Sequence, residues 1–408
     1  MAPLFGQRSI FTLPTWSFSI GSPVSGLMMI GSSSVASTVW MSVCSAMRAK
    51  HTVPAMPNGT DLTWFDAHLD LAYLAEMGRD MHAELDDCRG KLLPAAVTLP
   101  AMAKGAVTDC LATVFTEPLE AGGDPSGSTA GAEAAAYPAG DALAARRAGL
   151  RQLKLYQAWR GAGAVRSLGD EGAGPLRLGV LVENADPIES PEYLDEWVEG
   201  GVVAVGLTWV RRGRYASGNG VPSTDPDSGL TEAGRDLVRA LDEAGVVHDL
   251  SHLNDRSLED VLSCAQGRVI ASHSNARALL GGENQRHLTD TTIAEIARRG
   301  GVIGVNLYGG FLTTEDRRAT IDDVVRQIVH ICDVVGDRRH IGLGSDMDGG
   351  FSADKLPEGL DRPDRLTRLA EALGEAGWAD QDVAGFANGN WSRFWAETRA
   401  GASAVQSE

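Results

Sequence analysis

Residues 62–74 read LTWFDAHLDLAYL and contain the pattern that decides the fold. An apolar run at 62–69 has His68 near its end and is followed directly by Asp70 and then by helix-like sequence. Short continuous apolar runs are typical of strands that are buried on both faces, as in a parallel sheet. Similar runs recur along the chain, each followed by helix-like sequence or a long loop. The complete set is 62–69, 106–115, 176–182, 202–207, 246–250, 268–271, 302–307 and 340–344.

Helices with recognisable ends lie between these runs. Thr320 is a suitable N-cap for a helix with one apolar face, and Gly336 is a suitable end for it. A second amphipathic stretch ends at Gly245. Eight strands that alternate with helices predict an α/β protein with a (β/α)8 TIM-type barrel. An open, doubly wound sheet is the alternative.

The charge balance excludes two classes of partner. The 408 residues include 36 Lys and Arg against 54 Asp and Glu, so the formal net charge is −18. An acidic surface repels phosphate backbones and anionic lipids, and we therefore expect neither a nucleic-acid partner nor binding to a membrane surface. The 5 cysteines are widely spaced and form no CxxC pair, which argues against a disulfide framework and against a cysteine-built zinc site.

The N-terminal part differs in composition from the rest. Residues 9–47 contain no Asp, Glu, Lys, Arg or His and are rich in serine. The most apolar stretch is too interrupted for a spanning helix, and the pattern is a poor match to a signal peptide. We expect a disordered extension at 1–55 and no stable membrane span. A single domain should cover 60–398, with a flexible Gly/Ala/Ser/Pro-rich insertion at 120–140. The expected location is cytoplasmic, with export as the alternative.

Polar residues fall where the apolar runs end. In a barrel the carboxyl ends of the strands converge on one face, where the active sites of this fold lie. A single histidine at such a position is compatible with an ordinary buried histidine. Five nitrogen and oxygen donors at one mouth instead predict a metal centre. These donors are His68, Asp70, Glu183, His252 and His273.

The types of donor indicate which metal is bound. His68 and Asp70 are two residues apart on a strand, so both side chains point to the same face and reach one cation. Histidine and carboxylate donors without thiolate suit Zn²⁺ and, less specifically, Mn²⁺, Fe²⁺ or Co²⁺. The set exceeds what one tetrahedral ion requires. This favours two ions bridged by a carboxylate, with a bridging hydroxide as the nucleophile.

Several stretches resemble the membrane (renal) dipeptidase family of zinc-dependent hydrolases. The resemblance spans residues 62–396 and leaves out the first fifty. It implies a (β/α)8 barrel of the metal-dependent hydrolase type, two zinc ions, and hydrolysis of a dipeptide or a dipeptide-like small molecule. The matching stretches, in the family's order, are FDAHLDLAYL (65–74), KGAVTDCLATVF (104–115), LVEN (181–184), GLTEAGRDLVRALDEAGVVHDLSHLND (229–255), SHSNARAL (272–279), GGVIGVNLY (300–308), HIGLGSDMDGG (340–350) and GNWSRFW (389–395).

The resemblance assigns a role to each metal donor. His68 and Asp70 resemble the ligands of the first zinc, and His252 and His273 those of the second. Glu183 resembles the carboxylate that bridges the two ions.

The resemblance also assigns residues that act on the substrate. Asp346 resembles the acid–base residue, with loop capping as the alternative. Arg286 resembles the arginine that binds the substrate's carboxylate, with a solvated surface arginine as the alternative. Tyr308, directly after the apolar run at 302–307, is a further candidate for substrate binding. Asp249 is a candidate to orient His252, and strand-end capping is the alternative for it.

One position departs from the family. The family has a histidine after the fourth strand that binds substrate near the scissile bond, whereas this chain has Trp209. An indole donates a hydrogen bond but accepts no proton. Three nearby arginines (Arg211, Arg212 and Arg214) add positive charge to the same loop.

Three functions stay open at this point. The leading one is a dipeptidase, with a substrate that is shifted by Trp209. The second is a related barrel metalloenzyme that acts on another small amide, an ester or lactone, or a carboxylate. The third is a metal-binding homologue without catalysis. Formation of a homodimer is left open.

Overall fold

The computed structural model describes residues 62–119 and 135–405, with side chains described as far as residue 401. Eight parallel strands form a barrel, which confirms the predicted fold. Seven strand pairs are continuous, and a parallel bridge between Ala271 and Ile303 joins the sixth strand to the seventh. The strands are β1 (Trp64–Leu69), β2 (Val107–Val114), β3 (Arg177–Val182), β4 (Val202–Gly206), β5 (Val247–Asp249), β6 (Val269–Ile270), β7 (Ile303–Val305) and β8 (Ile341–Leu343).

Helices occupy the connections between the strands and follow the last one. The α-helices are α1 (Leu71–Glu76), α2 (Leu99–Lys104), α3 (Ala142–Gly161), α4 (Leu194–Glu199), α5 (Glu232–Ala244), α6 (Asp255–Cys264), α7 (Asp290–Arg298), α8 (Ile321–Val335), α9 (Leu366–Glu375), α10 (Asp380–Ala384) and α11 (Asn390–Val405). Single turns of 3₁₀ helix lie at Leu85–Asp87, Pro191–Tyr193, Arg277–Leu279, Gly309–Phe311, Ala353–Lys355 and Pro363–Arg365, and a π-helical turn lies at Gly385–Gly389.

The predicted helix ends are found in the structure. Thr320 is the N-cap of α8, and Gly336 ends that helix with a φ of 85°. Gly245 ends α5 in the same way, with a φ of 68°. A left-handed residue at this position satisfies the last carbonyl groups of a helix, and glycine adopts it without steric cost.

The core is divided between the outside and the inside of the barrel. The larger hydrophobic cluster packs the helices against the outer faces of the strands. A second cluster takes residues from β1 to β6 and from the start of β7, together with three aromatic side chains of α11. The α11 residues in it are Trp391, Phe394 and Trp395. The Asn390 amide donates to the carbonyl of Ile341 at 2.8 Å, so α11 closes the amino end of the barrel.

Two predicted segments lie largely outside the described residues. The extension predicted to be disordered, 1–55, falls entirely outside them, and so do residues 120–134 of the predicted insertion. The end of that insertion is a strand, because Ala136–Pro138 pairs in parallel with Glu117–Leu119. Within the described part of the chain, no helix is long and apolar enough to cross a membrane. The cysteines there are free thiols.

Candidate metal centre

Three histidines converge on one carboxylate oxygen at the carboxyl end of the barrel. The Oε1 atom of Glu183, directly after β3, lies 3.7 Å from the Nε2 atom of His68 and 3.3 Å from that of His252. The Nε2 atom of His273 lies 3.6 Å from the same oxygen. Asp70 completes the set, with its Oδ1 atom 3.8 Å from His68 Nε2. All five side chains are buried.

These donors fall into two overlapping groups. His68, Asp70 and Glu183 form one group whose ligand atoms lie within 4.8 Å of one another, and Glu183, His252 and His273 form another. The structure therefore brings together every residue that the sequence assigned to the metals, with Glu183 common to both groups. A third group joins Asp346 to His68 and His273. Metal ligation by each residue stays a prediction.

The tautomers of two histidines show that the site fits a cation. His252 Nδ1 lies 3.0 Å from the Oδ1 atom of Asn219, an acceptor, so Nδ1 carries the proton. His273 Nδ1 lies 2.8 Å from the Ser272 hydroxyl, whose own proton points to Asp249 Oδ2 at 2.5 Å, so this Nδ1 also carries its proton. The two Nε2 atoms then present lone pairs to each other across 2.9 Å. Facing lone pairs repel each other unless a positive charge lies beside them, and neutral imidazole nitrogens in this arrangement are good metal ligands.

Burial disfavours the charged form of each of the five donors. It lowers the pKa of His68, His252 and His273 well below the usual value, so these rings are neutral near pH 7. It raises the pKa of Asp70 to about 6, and burial with the charge of Asp70 raises that of Glu183 further. Both effects reflect the cost of placing charge in a dry site. A bound cation offsets this cost for the carboxylates.

Asp346 lies beside the donors on the turn after β8. The Asn306 amide donates to its Oδ2 atom at 2.9 Å, and its backbone N–H donates to the carbonyl of His68 at 3.2 Å. Its backbone is left-handed, with a φ of 58°. A side chain at Gly349 would collide with the Asp346 carboxylate, so the sequence places a glycine there. Burial and the charge of Asp70 raise the pKa of Asp346 well above its usual value.

A cavity of about 320 Å³ opens above these groups. Arg286 and Tyr308 line it, and substrate binding by these two residues stays a prediction. Arg286 is buried and not a solvated surface residue, since it is 4% exposed. Its guanidinium donates to the Ser274 hydroxyl and to the carbonyl of His273, and it lies 5.2 Å from the centre of the Phe311 ring.

Trp209 also lines this cavity. Its ring centre is 5.1 Å from that of Phe115 and 6.0 Å from that of His252. Phe115 in turn contacts Tyr73, and the three rings belong to a small apolar cluster separate from the main core. The indole therefore reaches the mouth of the barrel, beside the metal donors.

Two of the three neighbouring arginines are paired with acidic side chains. Arg211 pairs with the buried Glu117 at 3.5 Å, and Arg212 pairs with Asp225 at 2.9 Å. Neither lines the cavity. Their charge is thus balanced by acidic partners that are distant in sequence, and we assign them no role in the site.

Asp249 has a different partner from the one proposed from the sequence. Asn219, and not Asp249, contacts the Nδ1 atom of His252. Asp249 instead accepts hydrogen bonds from the backbone N–H groups of Ser251 and Ser272 and from the Ser272 hydroxyl. Ser272 and Asn219 were not singled out from the sequence. Ser272 lies in the matching stretch 272–279, directly before His273, and this adjacency was the available signal.

Comparison with known proteins places the chain in a family. The family model described as "Membrane dipeptidase (Peptidase family M19)" matches residues 59–408. An uncharacterized dipeptidase of Schizosaccharomyces pombe is 35% identical over 172 residues, which is 42% of this chain and 41% of that protein. The chain therefore spans less than half the length of this relative. An uncharacterized protein from the region 5′ of pqqA in Klebsiella pneumoniae is 35% identical over 191 residues, or 45% of this chain and 68% of that protein.

Solved structures show the same architecture. A metallopeptidase of Rhodobacter sphaeroides, bound to a phosphinate mimic of the dipeptide L-Ala-D-Ala, superposes with a TM-score of 0.67 at 25% identity. The match covers 81% of this chain and 97% of that one. The probable dipeptidase PvdM of Pseudomonas aeruginosa has a TM-score of 0.68 at 20% identity, covering 83% and 96%. The second likeness concerns the fold alone.

Proposed function

This chain belongs to the membrane dipeptidase family, peptidase family M19, and on that premise we propose that it hydrolyses the amide bond of a dipeptide or a dipeptide-like small molecule. The observation that carries the proposal is the convergence of three neutral histidines on Glu183, with Asp70 beside them. The family match covers residues 59–408 and so includes every residue of this site.

We assign two divalent ions to the centre, with Zn²⁺ as the first choice. His68 and Asp70 would hold one ion, His252 and His273 the other, and Glu183 both, in agreement with the two groups that share this residue. Ions held in this way supply a hydroxide nucleophile near neutral pH and polarise the scissile carbonyl group. A set of nitrogen and oxygen donors without thiolate suits zinc.

Asp346 is the proposed acid–base residue. Asn306 occupies its Oδ2 atom at 2.9 Å, which leaves Oδ1 to take the proton from the attacking water. The same atom then returns the proton to the amine nitrogen that leaves, because a single positioned carboxyl group can serve both steps in turn. The left-handed backbone at Asp346 places this carboxylate, and the absence of a side chain at Gly349 leaves room for it.

Arg286 is the proposed site for the carboxylate end of the substrate. Its guanidinium lines the cavity, and its Nε atom makes no hydrogen bond within the described part of the chain. A guanidinium fork binds carboxylates with two parallel hydrogen bonds. Tyr308 borders the same cavity and contacts Phe311, with ring centres 4.9 Å apart, so it would pack against the bound residue.

Trp209 changes the preferred substrate in this proposal. The indole sits between Phe115 and His252 and narrows the cavity on that side. It offers one N–H donor and no imidazole to a developing oxyanion. We therefore propose weak activity on ordinary L,L-dipeptides and better activity on substrates that are flatter or smaller at that end.

The test combines metal analysis with a substrate panel. We expect mass spectrometry of the purified protein to find two zinc ions per chain, and a dipeptide panel to include substrates whose turnover stops with a chelator. A metal-loaded protein that turns over no member of the panel would contradict the proposed peptidase activity and favour a silent homologue. Turnover confined to a parallel panel of lactones and β-keto acids would favour the related barrel metalloenzyme.

A further inference from the structure

Ser272 links the two halves of the metal centre through one hydroxyl group. The residue follows β6 and is fully buried. Its Oγ atom lies 2.8 Å from His273 Nδ1 and 3.3 Å from His68 Nδ1. In the two groups that share Glu183 these histidines lie on different sides, whereas the group with Asp346 contains both, and their rings stack with centres 3.5 Å apart.

The direction of these hydrogen bonds follows from the third partner. Ser272 Oγ lies 2.5 Å from the Oδ2 atom of Asp249, a carboxylate oxygen that only accepts while it is ionised. The single hydroxyl proton therefore points to Asp249. Both histidines then donate their Nδ1–H to the Ser272 oxygen, which has two lone pairs to receive them. The Ser251 hydroxyl, 3.4 Å from the same oxygen, has a nearer partner in the Ser274 hydroxyl at 3.2 Å. Each Nε2 atom is left as a lone pair that faces Glu183.

The position of Asp249 as acceptor of the Ser272 hydroxyl proton is fixed by the contacts of its other oxygen. Its Oδ1 atom accepts the backbone N–H of Ser272 at 2.8 Å and that of Ser251 at 3.1 Å. The same network reaches the cavity, since the Ser251 hydroxyl lies 3.2 Å from that of Ser274, which accepts from Arg286. The carboxylate is 2% exposed, so water does not compete for these contacts.

We propose that Ser272 is a positioning residue that sets the metal-binding tautomer of His68 and His273 together and thereby couples the affinities of the two metal sites. The proposal rests on the two-ion centre proposed above. In contrast, Asn219 contacts Nδ1 of His252 only, so it supports a single site. Partners of the distal nitrogen orient metal-binding histidines, and their loss typically costs about 10–100-fold in metal affinity.

The test measures both stepwise zinc affinities by competition with a chromophoric chelator. We expect Ser272→Ala to weaken both binding steps about 10–100-fold. Asn219→Ala should weaken one step and leave the other. Ser345→Ala is the matched control, because this buried serine also donates to a buried aspartate, Asp66, but its hydroxyl contacts no histidine. It should leave both affinities unchanged.

A second variant tests the direction of the hydroxyl proton without removing a side chain. In Asp249→Asn the new amide would donate to Ser272 Oγ, and the hydroxyl proton would turn to one of the two histidines. That histidine would carry its proton on Nε2, so one binding step should weaken more than the other. The absorption of the Co²⁺-substituted protein should change in both Ser272→Ala and Asp249→Asn.

The outcomes separate this proposal from the proposed function. If the wild-type protein binds fewer than two zinc ions, the two-ion centre itself is wrong. If the wild-type protein binds two and folded Ser272→Ala weakens one step or none, the coupling role is wrong. Equal losses in Ser272→Ala and Ser345→Ala would also contradict it, because they would indicate a general effect of removing a buried hydroxyl. If Ser272→Ala does not fold, Asp249→Asn decides, and wild-type affinities in that variant overturn the proposal.

Discussion

Asp346 is close enough to the donors for two roles to be compared by experiment. It forms a group with His68 and His273, yet its Oδ2 atom is already bonded by Asn306. As an acid–base residue it transfers protons and is not needed to hold metal. Asp346→Asn should therefore lower kcat at least about 100-fold and leave the zinc content unchanged. Steady-state kinetics and metal analysis of the same sample check this, and loss of zinc together with activity would show that Asp346 is a ligand.

The effect of Trp209, which stands where the family has a histidine, can be tested by restoring that histidine. The indole lies 6.0 Å from the His252 ring, so a histidine there would approach the scissile carbonyl. Trp209→His should raise kcat/KM on L,L-dipeptides at least about tenfold, which corresponds to about 1.4 kcal/mol of transition-state stabilisation. Trp209→Phe is the control, since it keeps an apolar ring and adds no donor. Strong wild-type dipeptidase activity that falls in Trp209→His would contradict the proposed role.

Individual donors were predictable from the sequence, whereas their orienting partners were not. His252 and His273 follow apolar runs, and this position can be recognised in the sequence alone. The partner of His252 is Asn219, which lies 33 residues earlier in a loop with no regular pattern. Asp249 reaches Ser272, because the register of β5 on β6 pairs Asp249 with Ile270. The relative position of two strands is a tertiary property that one sequence does not display.

The strands are shorter than the apolar runs that predicted them. The run at 302–307 contains β7, which covers only Ile303–Val305. Beyond it, the Asn275 side chain accepts the backbone N–H of Asn306 at 3.0 Å, and Asn306 accepts that of Tyr308 at 2.7 Å. Side chains thus replace the hydrogen bonds of the sheet where the site begins. Apolar periodicity locates the strands, but it carries no information about where this replacement starts.

The N-terminus of α8 provides a prediction about stability. Asp323 accepts from the Thr320 N–H at 2.8 Å and pairs with Arg317 and Arg326. Hydrogen bonds from Arg317 lower its pKa to about 2. Asp323→Asn should lower the free energy of unfolding by about 1 kcal/mol at pH 7, since it removes a charged helix cap. Asp322→Asn, in the same turn but exposed, is the control and should have little effect.

The pH dependence of this effect has a definite sign. Because the pKa of Asp323 is lower in the folded state than its ordinary value of 3.8, its stabilisation is fully present above that value. It is lost as the pH falls towards about 2. The difference between wild type and Asp323→Asn, measured by urea denaturation, should therefore shrink between pH 4 and pH 2.5. A difference that stays constant over this range would show that the charge is not responsible.

The whole barrel separates its packing from its chemistry along the axis of the strands. At the amino ends, side chains such as Phe65 and Val247 pack against the aromatic residues of α11. At the carboxyl ends, the same strands present histidines and carboxylates, such as His252 and Glu183, that border the cavity. Polar groups converge there because each strand contributes its last residues to the same mouth. The strands thus pack into the core at one end and carry the candidate site at the other.

Removal of the metal ions should lower the thermal stability of the whole molecule. The donors come from the ends of β1, β3, β5 and β6, so ions bound by the folded state alone would join distant parts of the chain. Such binding stabilises by about 2.7 kcal/mol when free zinc is 100 times its Kd. We expect EDTA to lower the Tm of the wild-type protein, and Asp323→Asn should keep this response because α8 supplies no ligand.

Glu183→Ala should lose both ions and show a Tm that no longer depends on zinc. Scanning calorimetry with metal analysis checks this, and one full equivalent of zinc retained in Glu183→Ala would contradict a carboxylate shared by both sites.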